Sequence, residues 1–130
     1  MPDNLYAIYA NAFQWSFGPD GSTIKVYLPG SIRLIQGLTF QGYSNDAGGL
    51  KKIGVLQFGD EQHPVGEFNG TVSITSTAFV NTTIDYIIVY CDTTHYSSWT
   101  SETALKCFPA LINTNNIKFP NSGDDISQIS

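Results

Sequence analysis

The sequence predicts an all-β fold: an antiparallel β-sandwich or jelly-roll-like domain with at most one short helix and an extended C-terminal arm. Three observations carry this. Apolar and aromatic residues alternate at period two or fall in short runs, as at Phe13, Trp15 and Phe17 and at Val72, Ile74 and Ser76. Clusters of Gly, Pro, Asn and Asp separate these runs at intervals of about ten residues. The length, 130 residues, with 42% hydrophobic and 13% aromatic residues, suits one domain with a buried core.

The elements follow in order. Residues 5–9 (LYAIY) form a short apolar run, and Phe13, Trp15 and Phe17 point to one face of a strand. Gly18-Pro19-Asp20-Gly21 reverses the chain, since Pro presets φ and Asp-Gly accepts positive φ. Residues 24–28 (IKVYL) then complete a hairpin. Residues 31–41 read as a strand with Ile32, Leu34 and Leu38 inward, and 42–49 (GYSNDAGG) as a loop. Residues 53–58 (IGVLQF) form a compact buried strand, and 59–66 another loop. Residues 84–91 (IDYIIVYC) are the longest β-branched and aromatic run and make the central strand. Ser101 can cap a helical turn over 101–106, which ends before Pro109. Trp15, Phe40, Phe58, Ile74, Ile87 and Val89 are expected in the core.

The domain is expected to span 1–112. The arm, 113–130, carries few apolar anchors among Asn, Ser and Asp; Ile117, Phe119 and Ile129 are the expected intersubunit contacts.

Charge narrows the function. Charged residues make up 13% and the net charge is −5, with Lys and Arg scattered. Nucleic acid and anionic membranes are therefore not expected as partners, because both require clustered cations. No apolar run reaches the length of a spanning helix, and the N-terminal residues lack a secretory pattern, so a cytoplasmic site of synthesis and free, half-buried thiols at Cys91 and Cys107 are expected. Asn69-Gly70-Thr71 and Asn81-Thr82-Thr83 are sequons that matter only in a secreted eukaryotic protein.

No catalytic, metal or phosphate motif stands out. Neither nucleophile-elbow, CxxC, HxxxH nor Gly-rich phosphate spacing occurs, so no enzyme activity, cofactor or metal is expected. Asp92 and His95 are an acid and an imidazole in a polar loop, and Asp60-Glu61 and Asp124-Asp125 are paired carboxylates in loops. The richest surface candidate is the loop 92–100 (DTTHYSSWT), which sets Asp92, His95, Tyr96 and Trp99 among five hydroxyl side chains. Rings beside hydroxyls suit sugar recognition, with Asn45-Asp46 as a second polar contributor. The competing reading is a loop whose rings cap one end of the core or form an inter-subunit contact.

Residues 72–90 (VSITSTAFVNTTIDYIIVY) resemble the strand–turn–strand endings of small β-sandwich domains in bacteriophage tail fibres and H-type lectins. In size, acidity and β character the chain also resembles the decoration, or cement, proteins and small tail components of tailed phages. The resemblance implies a viral structural protein of the virion, made in the host cytoplasm. It would assemble with itself, as a homotrimer or larger array, and with other virion proteins. A carbohydrate-binding, lectin-like module using the loop 92–100 is the alternative.

Overall fold

A computed structural model describes residues 4–10, 23–37, 51–79, 82–108 and 114–129. Among these residues seven strands form, in chain order β1 (Ala7–Ile8), β2 (Thr23–Leu28), β3 (Leu34–Ile35), β4 (Lys51–Phe58), β5 (Ser73–Ile74), β6 (Thr82–Val89) and β7 (Ile117–Lys118). They build two sheets, ordered β1-β3-β5 and β2-β4-β6-β7, and every strand pair in both is parallel. This α/β-like arrangement overturns the expected antiparallel β-sandwich or jelly roll.

The chain path gives the reason. Parallel neighbours need a long crossover, which is usually helical. Here β2 reaches β4 by way of β3, and β4 reaches β6 by way of β5, so the crossovers are strands of the other sheet. The chain winds as a coil whose turns recur about every thirty residues, each stacked on the one before. The last crossover departs from this. It holds a 3-10 turn (Thr93–His95) and two short helices, α1 (Tyr96–Trp99) and α2 (Glu102–Lys106), before β7.

Register converts the coil into ladders of like side chains. Val26, Leu56, Ile87 and Ile117 are successive partners, as are Leu28, Phe58 and Val89, and all seven are buried. In the other sheet Ile8, Ile35 and Ile74 align, again buried. Each such side chain contributes about 1.5–3 kcal/mol by leaving water. On the opposite face Val55 and Ile88 are buried, but Lys25 and Tyr86 beside them are exposed and Tyr27 and Gln57 half-buried, so only the face carrying the core ladders is fully covered. Most all-parallel sheets are covered on both faces, so this one departs from the rule. Gly54 accounts for the shift between Ile24 and Lys25, since Ile24 pairs with Ile53 and Lys25 with Val55.

Corners stack as closely as strands. A Cβ on Gly30 would strike the carbonyl oxygens of His63 and Pro64, so only glycine lets these two corners nest. Gly59, at φ +72°, donates its N–H to Leu28 O (2.7 Å), while Tyr90 N–H donates to Phe58 O (3.0 Å). Three successive turns are thus tied at one corner.

Several local expectations change. Of the strand expected over 31–41, the described part, 31–37, is strand at Leu34–Ile35, with Ile32 and Ile35 buried and Leu34 half-buried. Leu38, the loop 42–49 and most of the hairpin with its turn at 18–21 lie outside the described residues, as do Trp15 and Phe40. Phe58, Ile74, Ile87 and Val89 are in the core. Ser101 caps α2 by accepting from Ala104 N–H (3.2 Å), but α1 makes a second short helix. Beyond residue 113 the chain lies on its own domain. Ile117 and Phe119 are 6% and 8% exposed, and Ile129 is half-buried. Asn116 and Asn121 donate their side-chain N–H groups to Asp85 O (2.8 Å) and Cys91 O (3.1 Å), closing one carbonyl of β6 and one just beyond its end.

Candidate functional site

The segments 60–72 and 91–100 form one corner of the coil. Val65 bridges Cys91 in parallel, and Phe68 N–H donates to Ser98 Oγ (3.0 Å). Asp92 begins the turn: its Oδ1 accepts from Thr94 N–H and Thr94 Oγ1–H, both at 2.9 Å. Those bonds, the backbone one foremost, hold its carboxyl below the ordinary range, with His95 adding to the effect.

The structure then separates the candidate residues. Trp99 is 1% exposed; its ring centroid lies 4.7 Å from Phe58 and 5.5 Å from Phe68, and Nε1–H donates to Gly66 O (3.0 Å). It plugs the core and offers no face to a ligand. Tyr96 stacks on Phe119 at 4.5 Å, and among the described residues its buried hydroxyl makes no hydrogen bond within ordinary geometry. Burial first, then the neighbouring Cys91, Asp124 and Asp92, raises its pKa. The Ser122 hydroxyl, which donates to Phe119 O (2.8 Å), acts in the opposite direction. Of the five hydroxyls in 92–100, those of Thr94, Ser98 and Thr100 are bonded inside the corner, while Thr93 and Ser97 are exposed. Ser98 Oγ–H donates to His95 O (2.7 Å), Ser101 Oγ–H to Ser98 O (2.9 Å), and Thr100 Oγ1–H to Tyr96 O and Ser97 O (each 3.4 Å). The loop is a capped structural corner.

Asp92 and His95 remain at the surface, joined by a residue the sequence reading passed over. His95 Nδ1 lies 3.6 Å from Glu67 Oε2, with the two side chains 32% and 48% exposed. Glu67 O also anchors the turn 67–72, accepting from Val72 N–H (3.0 Å) and Thr71 Oγ1–H (3.3 Å). Asn69 sits at the tip with φ +64° and donates its N–H to Val72 O (2.7 Å). Asn-Gly is among the strongest turn signals in a sequence and could have placed this tip. Asn45-Asp46 lies outside the described residues.

The other histidine follows the same plan. Asp60 Oδ1 accepts from Gln62 N–H (2.9 Å) and His63 N–H (2.7 Å), with His63 Nδ1 at 3.1 Å, and Tyr27 Oη–H donates to Oδ2 (3.1 Å). Asp124 and Asp125 accept from the backbone N–H groups of Phe119 and Ser127, each at 2.9 Å. The carboxylate pairs therefore serve turns. Cys91 and Cys107 are free and fully buried; burial, with Asp92 adding to it, pushes the Cys91 thiol up to about 12. Among the described residues no helix is long and apolar enough to cross a membrane. No family model, curated protein or solved structure matches the chain.

Proposed function

We propose that this protein is a non-enzymatic structural protein that works by assembly, as a capsid decoration or tail component of a tailed-phage particle. Its partners are further copies of itself, in a trimer or larger array, and other proteins of the particle.

The observation that carries the reading is the edge of the smaller sheet. Among the described residues β1 is the end strand of the order β1-β3-β5, and the tyrosines flanking it, Tyr6 and Tyr9, are 66% and 65% exposed. A strand edge carries backbone groups able to receive another chain, and exposed aromatics are enriched where proteins meet. Sparse charge, 13% of residues, supports the same reading. Ile117 and Phe119 are engaged within their own chain, which shifts the expected contact from the tail to this edge. The particle itself is proposed from the resemblance of residues 72–90. Those residues run through β5 and β6, which belong to different sheets and form no hairpin. A lectin built on loop 92–100 would need a stacking ring other than Trp99.

Mass photometry over a concentration series tests the assembly. Wild type should associate, and Tyr6→Ser with Tyr9→Ser should weaken association by about tenfold or more, the effect of losing an aromatic anchor. A wild-type chain that stays monomeric throughout, or a double variant that associates equally well, refutes it.

A further inference from the structure

We propose that Asn69-Gly70 is a self-modification site, at which the native turn converts asparagine to aspartate and isoaspartate with Glu67 as the base. The reaction goes beyond assembly and does not depend on it.

Four features of the turn point to this chemistry. Asn69 and Gly70 are both exposed at its tip, so water reaches them. Asn69 holds a left-handed φ of +64°, a conformation that costs an L-residue energy and is released on rearrangement. Among the described residues no group accepts from the Gly70 N–H, whereas the N–H groups of Asn69 and Val72 are bonded within the turn. The fourth feature is the position of Glu67. Its side chain folds across Gly70 so closely that a Cβ there would overlap Oε1 and come within 2.5 Å of Cγ and Cδ. The other oxygen, Oε2, is 3.6 Å from His95 Nδ1. His95 is therefore placed to hold the carboxylate over the glycine, with Asp92 next to it in the same corner.

The step balances without any oxidant or cofactor. Glu67 takes the proton of the Gly70 amide, and that nitrogen attacks Cγ of Asn69. The new N–Cγ bond closes a five-membered succinimide, the Cγ–Nδ2 bond breaks, and Nδ2 leaves as ammonia with the proton returned through the carboxyl. Water then adds to either ring carbonyl and opens it, giving aspartate by one route and isoaspartate by the other. Ring closure rotates the backbone between the two residues, and Gly70, having no Cβ, follows at little cost. Each event places a new carboxylate beside Glu67 on a chain of net charge −5.

The test is an ageing time course of the folded full-length protein at neutral pH in heavy-oxygen water, followed by peptide mapping. Wild type should gain mass at residue 69, with one heavy oxygen incorporated and both aspartyl forms present. Glu67→Gln keeps the side-chain size and removes the base; it should slow the native reaction by about tenfold or more. Circular dichroism verifies that the variant is folded. In urea the two proteins should age at the same rate, which separates a base held in place by the fold from the intrinsic lability of Asn-Gly. The proposal is overturned if residue 69 of folded wild type stays unmodified, or if native Glu67→Gln ages as fast as wild type.

Discussion

Replacing Trp99 with alanine decides whether the corner 92–100 is core or binding surface. The ring is 1% exposed, lies against Phe58 and Phe68 at 4.7 and 5.5 Å, and donates to Gly66 O at 3.0 Å. Removing a buried ring of this size costs about 3–5 kcal/mol. The lost hydrogen bond adds about 1 kcal/mol at most, because half-buried Gly66 can find water instead. Against a total stability of about 5–15 kcal/mol, the variant should be largely or wholly unfolded at high temperature. Trp99→Phe retains a ring and loses the donor, so it should cost about 1–2 kcal/mol. Urea titrations followed by circular dichroism give both values, with a constant slope confirming that stability alone has changed. A loss below about 1 kcal/mol for Trp99→Ala would place the ring at the surface and reopen the sugar-binding reading.

Three further outcomes follow from titratable groups. Cys91 and Cys107 should both resist a thiol reagent in the native protein and both react after denaturation. With the folded Cys91 pKa at about 12, the fold holds a proton that the unfolded chain releases near pH 8.5, so this contribution is complete below that value and falls as pH rises. Alkaline loss of stability should accordingly be smaller in Cys91→Ala; an identical loss would remove Cys91 as its source. The lowered carboxyl of Asp92 has the opposite sign: its contribution is present above the usual carboxylate pKa and disappears as acid protonates it in the fold. Hydrogen exchange at the Thr94 amide should quicken in acid beyond the change seen in Asp92→Ala. Equal behaviour in the two proteins would mean that the carboxylate does not hold the turn.

The segments 53–58 and 84–89 show how far the residues themselves specify the fold. The first reads as a buried strand and buries Ile53, Val55, Leu56 and Phe58; the second, read as the central strand, buries Ile84, Ile87, Ile88 and Val89 while Tyr86 stays exposed. Near-continuous apolar runs of this kind belong more to parallel strands than to antiparallel ones, which alternate. Direction is absent from the strand residues and is set by the connections. Turn signals such as Gly59 and Asn69-Gly70 mark a corner of a coil as well as they mark a hairpin. The discriminating signal was the recurrence of apolar groups about every thirty residues, which places Val26, Leu56, Ile87 and Ile117 in one column. The helix at Glu102–Lys106 was legible because its cap, Ser101, is local to it. The hydroxyls of 92–100 were misleading for a related reason: a side chain that can bond a sugar can equally bond the backbone three or four residues away, and only the packing of Trp99 decides between them. In the tail, Ile117, Lys118 and Phe119 alternate inward and outward as a strand does, yet the polar residues around them concealed a pattern only three residues long. Inner turns of a coil are covered by their neighbours, and the last needs a closing element. Asn116, Asn121 and β7 supply one beside β6, while among the described residues β1, an end strand, is flanked by two exposed tyrosines. That asymmetry between a closed end and an aromatic one directs the search for a partner toward β1.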